Sequence, residues 1–150
     1  MESSAQPARV LVVANRTAAT PALIACVRER AQRGPAQFTL LVPNTSTGLE
    51  RIADPEDHED TEAKATLELA LPLLEEAAGS PVTGMVGAPA PLDAIQDAIN
   101  LHGFDEIILS TLPARVSKWL KLDLPSKVGG LGLPLTTVTA RSREDVASAT

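Results

Sequence analysis

Short, mostly apolar segments alternate along this chain with longer segments that repeat apolar residues at helical spacing. The clearest short segments are residues 10–14 and 38–42, which end at Asn15 and Pro43. Runs of this length that are rich in aliphatic and β-branched residues are typical of parallel strands buried on both faces. The alternation therefore predicts an α/β domain in which helical crossovers cover a mostly parallel sheet.

The first half of the chain contains two predicted helices. One begins after Thr20, a good N-cap residue, and ends before Gly34. The other extends from about residue 61 to 78 with one apolar stripe. Pro72 lies inside it and predicts a kink or a later start, because proline removes a backbone hydrogen bond. The polar and acidic stretch 44–62 is typical of a surface loop.

The second half of the chain repeats the alternation. The predicted elements are, in order, a strand at 82–86, a helix at 92–102, a strand at 107–109, a helix at 116–124 and a strand at 133–140. We find no internal repeat and no composition shift that would mark a second domain. We therefore expect a single domain over residues 8–141, with flexible tails at residues 1–7 and 142–150.

Composition excludes several classes of function. No segment approaches the roughly 20 apolar residues that span a bilayer, and the polar start lacks the features of a secretory signal. We therefore expect a cytoplasmic protein without membrane contact. The net charge of −6 and the lack of tyrosine argue against nucleic-acid binding. Cys26 is the only cysteine, which excludes an internal disulfide and a cysteine-based zinc site, and we expect it to be a small buried apolar residue.

Three further patterns point away from metal, catalytic and dinucleotide sites. The acidic run 54–60 has the ligand types that divalent cations prefer, but it lacks the alternation and central glycine of a calcium loop, so we interpret it as a solvated loop. His102 precedes Gly103 at a predicted helix end, where a cation suits the helix dipole. The glycines at 130 and 132 follow a helix and precede a strand, the reverse of the dinucleotide-binding context. No catalytic motif is present, and we predict neither a metal site nor an enzyme.

Three segments and the order of the elements carry a family resemblance. The segments are RVLVVANRT, GAPAPLDAI and FDEIILSTLP. In these features, over about residues 9–141, the chain resembles a divergent member of the universal stress protein family. The resemblance implies an α/β fold with a five-stranded parallel sheet in the order 3-2-1-4-5, and helices on both faces. It also implies a homodimer paired through the last strand, which would protect an exposed sheet edge.

ATP-binding members of that family carry a glycine-rich motif after the fourth strand. The motif is a glycine, two residues, a second glycine, nine residues, and a third glycine followed by serine or threonine. Here Ser110 and Pro113 take the first two glycine positions, and with a one-residue gap the last pair aligns with Leu122 and Asp123. Proline lacks an amide donor and Asp123 adds negative charge, so the resemblance implies a degenerate ATP site.

The candidate ligand-binding residues lie near strand ends or in the following helices. They are Asn15, Arg16, Thr17, Thr111, Arg115, Lys118 and Ser126. Open parallel sheets bind ligands at the carboxyl ends of their strands, and cations there suit a small anion. The alternative is that the basic residues are the solvated side of a short amphipathic helix.

These observations lead to two functional hypotheses. The first is a non-catalytic, dimeric module that needs no cofactor and acts through protein contacts or an unidentified small ligand. The alternative is a protein that binds ATP or another adenine nucleotide, with magnesium, in a divergent phosphate loop. An enzyme on a related fold is the least supported reading, because no catalytic constellation is recognisable.

Overall fold

The structure, a computed structural model, describes residues 7–14, 18, 20–43, 55–87, 90–111 and 123–139, with only the backbone of residues 55–62. The strands are β1 (Ala8–Val13), β2 (Ala36–Pro43), β3 (Val82–Gly87), β4 (Glu106–Thr111) and β5 (Leu135–Thr139). The described helices are α1 (Pro21–Arg33), α2 (Pro55–Ala78), α3 (Pro91–His102) and α4 (Leu124–Gly129).

All five strands form one parallel sheet in the order β3-β2-β1-β4-β5. β1 is the central strand, and Val10 lies opposite Phe38 of β2 on one side and Glu106 of β4 on the other. The residues from Val10 to Val13 are 0% exposed, as expected for a strand covered on both faces. The predicted fold class, sheet and strand order are confirmed.

Two hydrophobic layers enclose the sheet. On one face, Leu23 and Val27 of α1 and Leu74 of α2 pack with the even-numbered residues of β1. On the other face, Ile95 of α3 and Val128 of α4 pack with the odd-numbered residues. Helices therefore cover both faces, and none of the described helices is long and apolar enough to cross a membrane.

One ion pair joins α1 to the start of β4. Arg30 Nε donates to Glu106 Oε1 and a second guanidinium nitrogen donates to Oε2, both at 2.9 Å. The two side chains are only 13% and 23% exposed, and the hydrogen bond to Glu106 raises the pKa of Arg30. A bidentate pair of this kind fixes orientation as well as distance, so it sets the angle at which the last turn of α1 lies over β4.

The start of α2 differs from its prediction. The helix begins at Pro55, so the predicted loop is wrong over residues 55–62. The prediction that the helix starts later than its apolar pattern is also wrong. Residues 44–54 lie outside the described part of the chain. Proline suits the first position of a helix, and acidic residues in the first turns interact favourably with its dipole. Pro72 does not end the helix, which continues to Ala78, and Pro72 lies on its exposed side.

The segment before β5 also differs from its prediction. Asp123 has a left-handed backbone, with φ 59° and ψ 38°, and Leu124 begins the separate helix α4. The predicted end of a helix at residue 124 is therefore wrong, while residues 112–122 lie outside the described part of the chain. β5 is shorter than the predicted strand at 133–140, because it begins only at Leu135.

Cys26 is partly buried against the core, and burial raises the pKa of its thiol.

A glycine at the end of β3 determines how closely α3 approaches the sheet. A Cβ atom at Gly87 would lie 2.7 Å from the Cβ of Ala94 and 2.8 Å from Cδ1 of Leu41. Carbon atoms in contact normally lie about 3.5–4.0 Å apart. The absence of a side chain at Gly87 therefore permits the contact between α3 and the carboxyl half of the sheet.

We predict that Gly87→Ala lowers the free energy of unfolding by about 1–3 kcal/mol, because the added methyl group overpacks the α3 contact. Urea denaturation of the variant and the parent protein measures the difference. Gly129→Ala is the matched control, since a Cβ at that position would meet no described atom within 4 Å outside its chain neighbours and the backbone of its own helix. Equal stability of the two variants would show that close packing does not require glycine at residue 87.

Candidate functional site

The strand order places a topological switch point at the carboxyl ends of β1 and β4. The chain passes from β1 to β2 on one side of the centre and later returns from β3 to β4 on the other side. The connections after β1 and β4 therefore diverge, and open α/β sheets bind ligands at such a switch point. Val13 lies opposite Leu109, so Thr111 extends two residues beyond the end of β1 at this edge.

Thr111 is a buried polar residue at this switch point. It is the last residue of β4, it is 2% exposed, and its Oγ1 makes no hydrogen bond to any residue that the structure describes. The predicted strand ended at residue 109, so the structure adds Thr111 to the rigid sheet. A buried hydroxyl without a partner costs about 1–3 kcal/mol, and a ligand atom that bonds to it would recover that free energy.

Ser110 is also fully buried, but it lies on the opposite face of the strand. Alternation places Thr111 on the same face as Leu109, which packs in the layer formed with α3 and α4. The hydroxyl of Thr111 is therefore directed by the sheet itself, and its position does not depend on the conformation of a loop.

The structure locates Thr111 and Ser126 of the predicted ligand-binding residues. Ser126 is exposed in the first turn of α4. The others lie outside the described part of the chain: Asn15, Arg16, Thr17, Arg115 and Lys118. The grouping of these residues into one site remains a prediction.

Asp123 bears on the alignment with the glycine-rich motif. Its left-handed backbone is the conformation that favours glycine, and aspartate is one of the side chains that tolerate it. Counted from Ser110 without a gap, the motif spacing places the third glycine at residue 123, so the backbone favours this count over the gapped alignment. The hydroxyl position of the motif then falls on Leu124, which is 4% exposed at the start of α4. The motif is degenerate under either alignment.

The amino ends of the strands form a different polar cluster. The Arg9 guanidinium donates a hydrogen bond to the His102 carbonyl oxygen and lies 5.6 Å from the centre of the Phe104 ring. The Arg9 amide donates to the Asp105 carboxylate, and the Asp105 amide donates to the Arg9 carbonyl, each at 2.8 Å. These groups satisfy one another, and Arg9 caps the end of α3. The cluster therefore stabilises the fold at the edge opposite Thr111.

The interpretation of the acidic run as a loop is wrong over residues 55–60, which are helical, while the prediction that it holds no metal stays a prediction. Residues 55–60 lie in the first turns of α2, but their side chains are outside the described atoms. Elsewhere in the described part of the chain, no three histidine, cysteine, aspartate or glutamate side chains are grouped to hold a metal ion.

Comparisons with known proteins establish the fold. No protein-family model and no curated protein matches the sequence. A universal stress protein from Archaeoglobus fulgidus matches with a TM-score of 0.63 and 15% identity, over 87% of this chain and 93% of that one. This chain has the universal stress protein fold.

Two further structures of that fold carry nucleotides. The universal stress protein from Archaeoglobus fulgidus in complex with dAMP matches with a TM-score of 0.59 and 15% identity, over 89% of this chain and 98% of that one. A universal stress protein family protein from Arabidopsis thaliana with AMP bound matches with a TM-score of 0.59 and 17% identity, over 92% and 95%. At these identities the likeness establishes the fold, and the nucleotides belong to those proteins.

We predict that Thr111→Val leaves the free energy of unfolding unchanged or raises it by about 1 kcal/mol, because valine removes a buried hydroxyl that has no described partner and keeps the shape. Thermal and urea denaturation measure this effect. The control is Thr139→Val, which alters an exposed hydroxyl opposite Thr111 on β5. A loss of stability at residue 111 that the control does not share would show that the hydroxyl bonds to another part of the chain.

Proposed function

We propose that this chain is a non-catalytic module of the universal stress protein type that binds an adenine nucleotide with a single phosphate. The binding site is the crevice at the carboxyl ends of β1 and β4. The observation that carries this proposal is the buried Thr111 hydroxyl, which bonds to no described residue at the switch point of the sheet. The module acts in the cytoplasm.

The class of ligand is supported by proteins of the same fold. The structures from Archaeoglobus fulgidus and Arabidopsis thaliana hold dAMP and AMP, and both ligands are adenine nucleotides with one phosphate. A polar group buried at the strand ends is the kind of anchor that fixes the orientation of such a ligand in a largely apolar pocket. Thr111 supplies that anchor here.

The charge of the ligand is limited by the degenerate glycine motif. Pro113 removes an amide that could donate to a phosphate, and Asp123 adds an exposed negative charge. Both changes disfavour a triphosphate more than a monophosphate. Each added phosphate group increases the repulsion from the Asp123 carboxylate, and it adds oxygen acceptors that find no amide donor. A monophosphate is therefore the better fit.

The absence of a catalytic role is supported by the residue types near the site. Ser110 and Thr111 are the buried polar residues in the described chain. Activation of a hydroxyl nucleophile needs an adjacent base, and no recognised catalytic motif in the sequence supplies one. Binding without turnover is the activity these residues support.

Homodimerisation through β5 is part of the same proposal. β5 is an edge strand of the described sheet, and its threonine side chains at 136, 137 and 139 are exposed. An uncovered edge offers backbone donors and acceptors to a second chain. The pairing of two copies along β5 would satisfy those groups.

A titration with AMP, ADP, ATP and adenosine, with and without magnesium, tests the proposed ligand. We expect AMP to raise the melting temperature saturably, because a ligand that prefers the folded state stabilises it. ATP and adenosine should bind more weakly, ATP because of repulsion and adenosine because it lacks the phosphate. Thr111→Val should weaken AMP binding by about tenfold, which corresponds to roughly 1.4 kcal/mol for a lost hydrogen bond.

The control for this titration is Thr139→Val, which should bind AMP as the parent protein does. No stabilisation by any of the nucleotides at millimolar concentration contradicts the nucleotide proposal and favours a module that acts through protein contacts. Undiminished AMP binding by Thr111→Val would place the site elsewhere in the molecule.

Variants of Asp123 test the limit on ligand charge. We predict that Asp123→Asn and Asp123→Gly both raise the affinity for ATP by about threefold to tenfold relative to AMP, because both remove a negative charge and both residues tolerate a left-handed backbone. Calorimetric titration of each variant with the two nucleotides measures the ratio. Asp93→Asn, which alters a carboxylate in the first turn of α3, is the control. An unchanged ratio of ATP to AMP affinity in both Asp123 variants would mean that this carboxylate does not set the preference for AMP over ATP.

A further inference from the structure

A cavity of about 890 Å³ opens at the amino ends of β1, β2 and β3. Its walls come from the starts of these strands and from the last turns of α1, α2 and α3. Small-molecule sites typically enclose about 300–1,000 Å³. Thr111 ends β4 at the carboxyl edge of the sheet, so this cavity is separate from the proposed nucleotide site.

Inside the cavity, one face of the sheet is uncovered. Phe38 and Val82 pack in the layer formed by α1 and α2. Their neighbours Gln37, Thr39 and Thr83 therefore lie on the opposite face, because side chains alternate along a strand. Gln37 and Thr83 are exposed and Thr39 is partly buried, so the described helices do not cover this part of that face.

The strand register groups these polar side chains into a floor. Thr39 lies opposite Thr83 of β3, and Gln37 lies opposite Arg9 of β1. Adjacent strands are about 4.8 Å apart, so each pair presents its side chains next to one another. Neither the two hydroxyls nor the Gln37 amide has a hydrogen-bond partner among the described residues. The floor therefore offers two hydroxyls and one amide to a ligand.

Arg9 brings a positioned positive charge to the wall. Its guanidinium is held by the His102 carbonyl oxygen and lies 5.6 Å from the centre of the Phe104 ring. The carbonyl accepts from one of the five guanidinium N–H groups, and no other described residue accepts from the rest. The remaining N–H groups match the two-oxygen geometry of a carboxylate or a phosphate.

The ionisable residues of the cavity determine the charge of its ligand. Among the described lining residues these are Arg9 and His102, and none carries a carboxylate. The chain as a whole has 19 acidic and 13 basic residues, so this wall differs from the average surface. Asp105 accepts from the Arg9 amide but does not line the cavity. Walls of this kind favour an anion.

We propose that this cavity binds a small hydroxylated organic anion of the sugar phosphate or sugar acid class. The phosphate or carboxylate group bonds to Arg9, and hydroxyl groups of the ligand bond to Gln37, Thr39 and Thr83. A ligand hydroxyl both donates and accepts, which suits the threonine hydroxyls and the amide of the floor. The proposal does not rest on nucleotide binding at Thr111.

NMR titration of the amide signals with glucose 6-phosphate, gluconate, glucose and inorganic phosphate tests this proposal. We expect at least one of the two organic anions to shift the signals of residues 37, 39 and 83 saturably at millimolar concentration. Glucose and inorganic phosphate should each bind about tenfold more weakly, because each makes only part of the contacts. The tighter of the two organic anions distinguishes a phosphate from a carboxylate ligand.

Variants of the floor and the wall locate the binding. Thr39→Val and Thr83→Val should each weaken the anion by about threefold to tenfold, because valine keeps the shape and removes the hydroxyl. Thr139→Val is the matched control, since it alters an exposed threonine on β5. Arg9→Lys keeps the charge but loses the bidentate geometry, and should weaken binding by about tenfold. Circular dichroism checks that each variant is folded.

Three results would overturn the proposal. One is the lack of a saturable shift at residues 37, 39 and 83 with either organic anion up to about 50 mM. Another is anion binding that both valine variants retain in full, or glucose binding as tight as that of the anions. The third is a set of shifts confined to the carboxyl ends of β1 and β4, which would assign the anion to the nucleotide site.

Discussion

The burial of β1 on both of its faces is the constraint on which the rest of the structure depends. A strand whose residues 10–13 are fully buried needs a neighbour on each side and a helical layer above and below. β2 and β4 supply the neighbours, and the crossover helices supply the layers. The same arrangement creates the switch point between β1 and β4, so the place of the candidate site follows from the packing of the central strand.

Local contacts then fix the helices with the precision that a site at the strand ends requires. Gly87 lets α3 approach the sheet closely, and the Arg30–Glu106 pair orients α1 over the start of β4. Because Thr111 belongs to the paired part of β4, its hydroxyl is held by the sheet ladder. A group positioned in this way loses little conformational entropy when a ligand binds. Because that entropic cost is small, even a weak polar contact increases the affinity.

The apolar strand pattern was sufficient to predict the α/β class and the parallel sheet, since buried parallel strands impose a continuous run that is visible in sequence. The strand order was predicted from the family resemblance. The start of α2 could not be predicted in the same way, because acidic residues suit both a solvated loop and the first turns of a helix. The left-handed backbone of Asp123 is equally hidden in a residue type that adopts several conformations. For the site, sequence selected Thr111, but only the structure shows that its hydroxyl is buried without a described partner. The other predicted ligand-binding residues stay predictions.

The β5 edge and the candidate ligand site are neighbours in the sheet. β5 is an edge strand of the described sheet, while α2 packs against β2 and β3 on the other side of the centre. Thr111 sits on β4, directly beside β5, but is separated from α2 by the width of β1 and β2. A ligand bound at Thr111, as proposed, would therefore lie next to the elements that would pair along the β5 edge, and coupling between binding and assembly would act first on that contact.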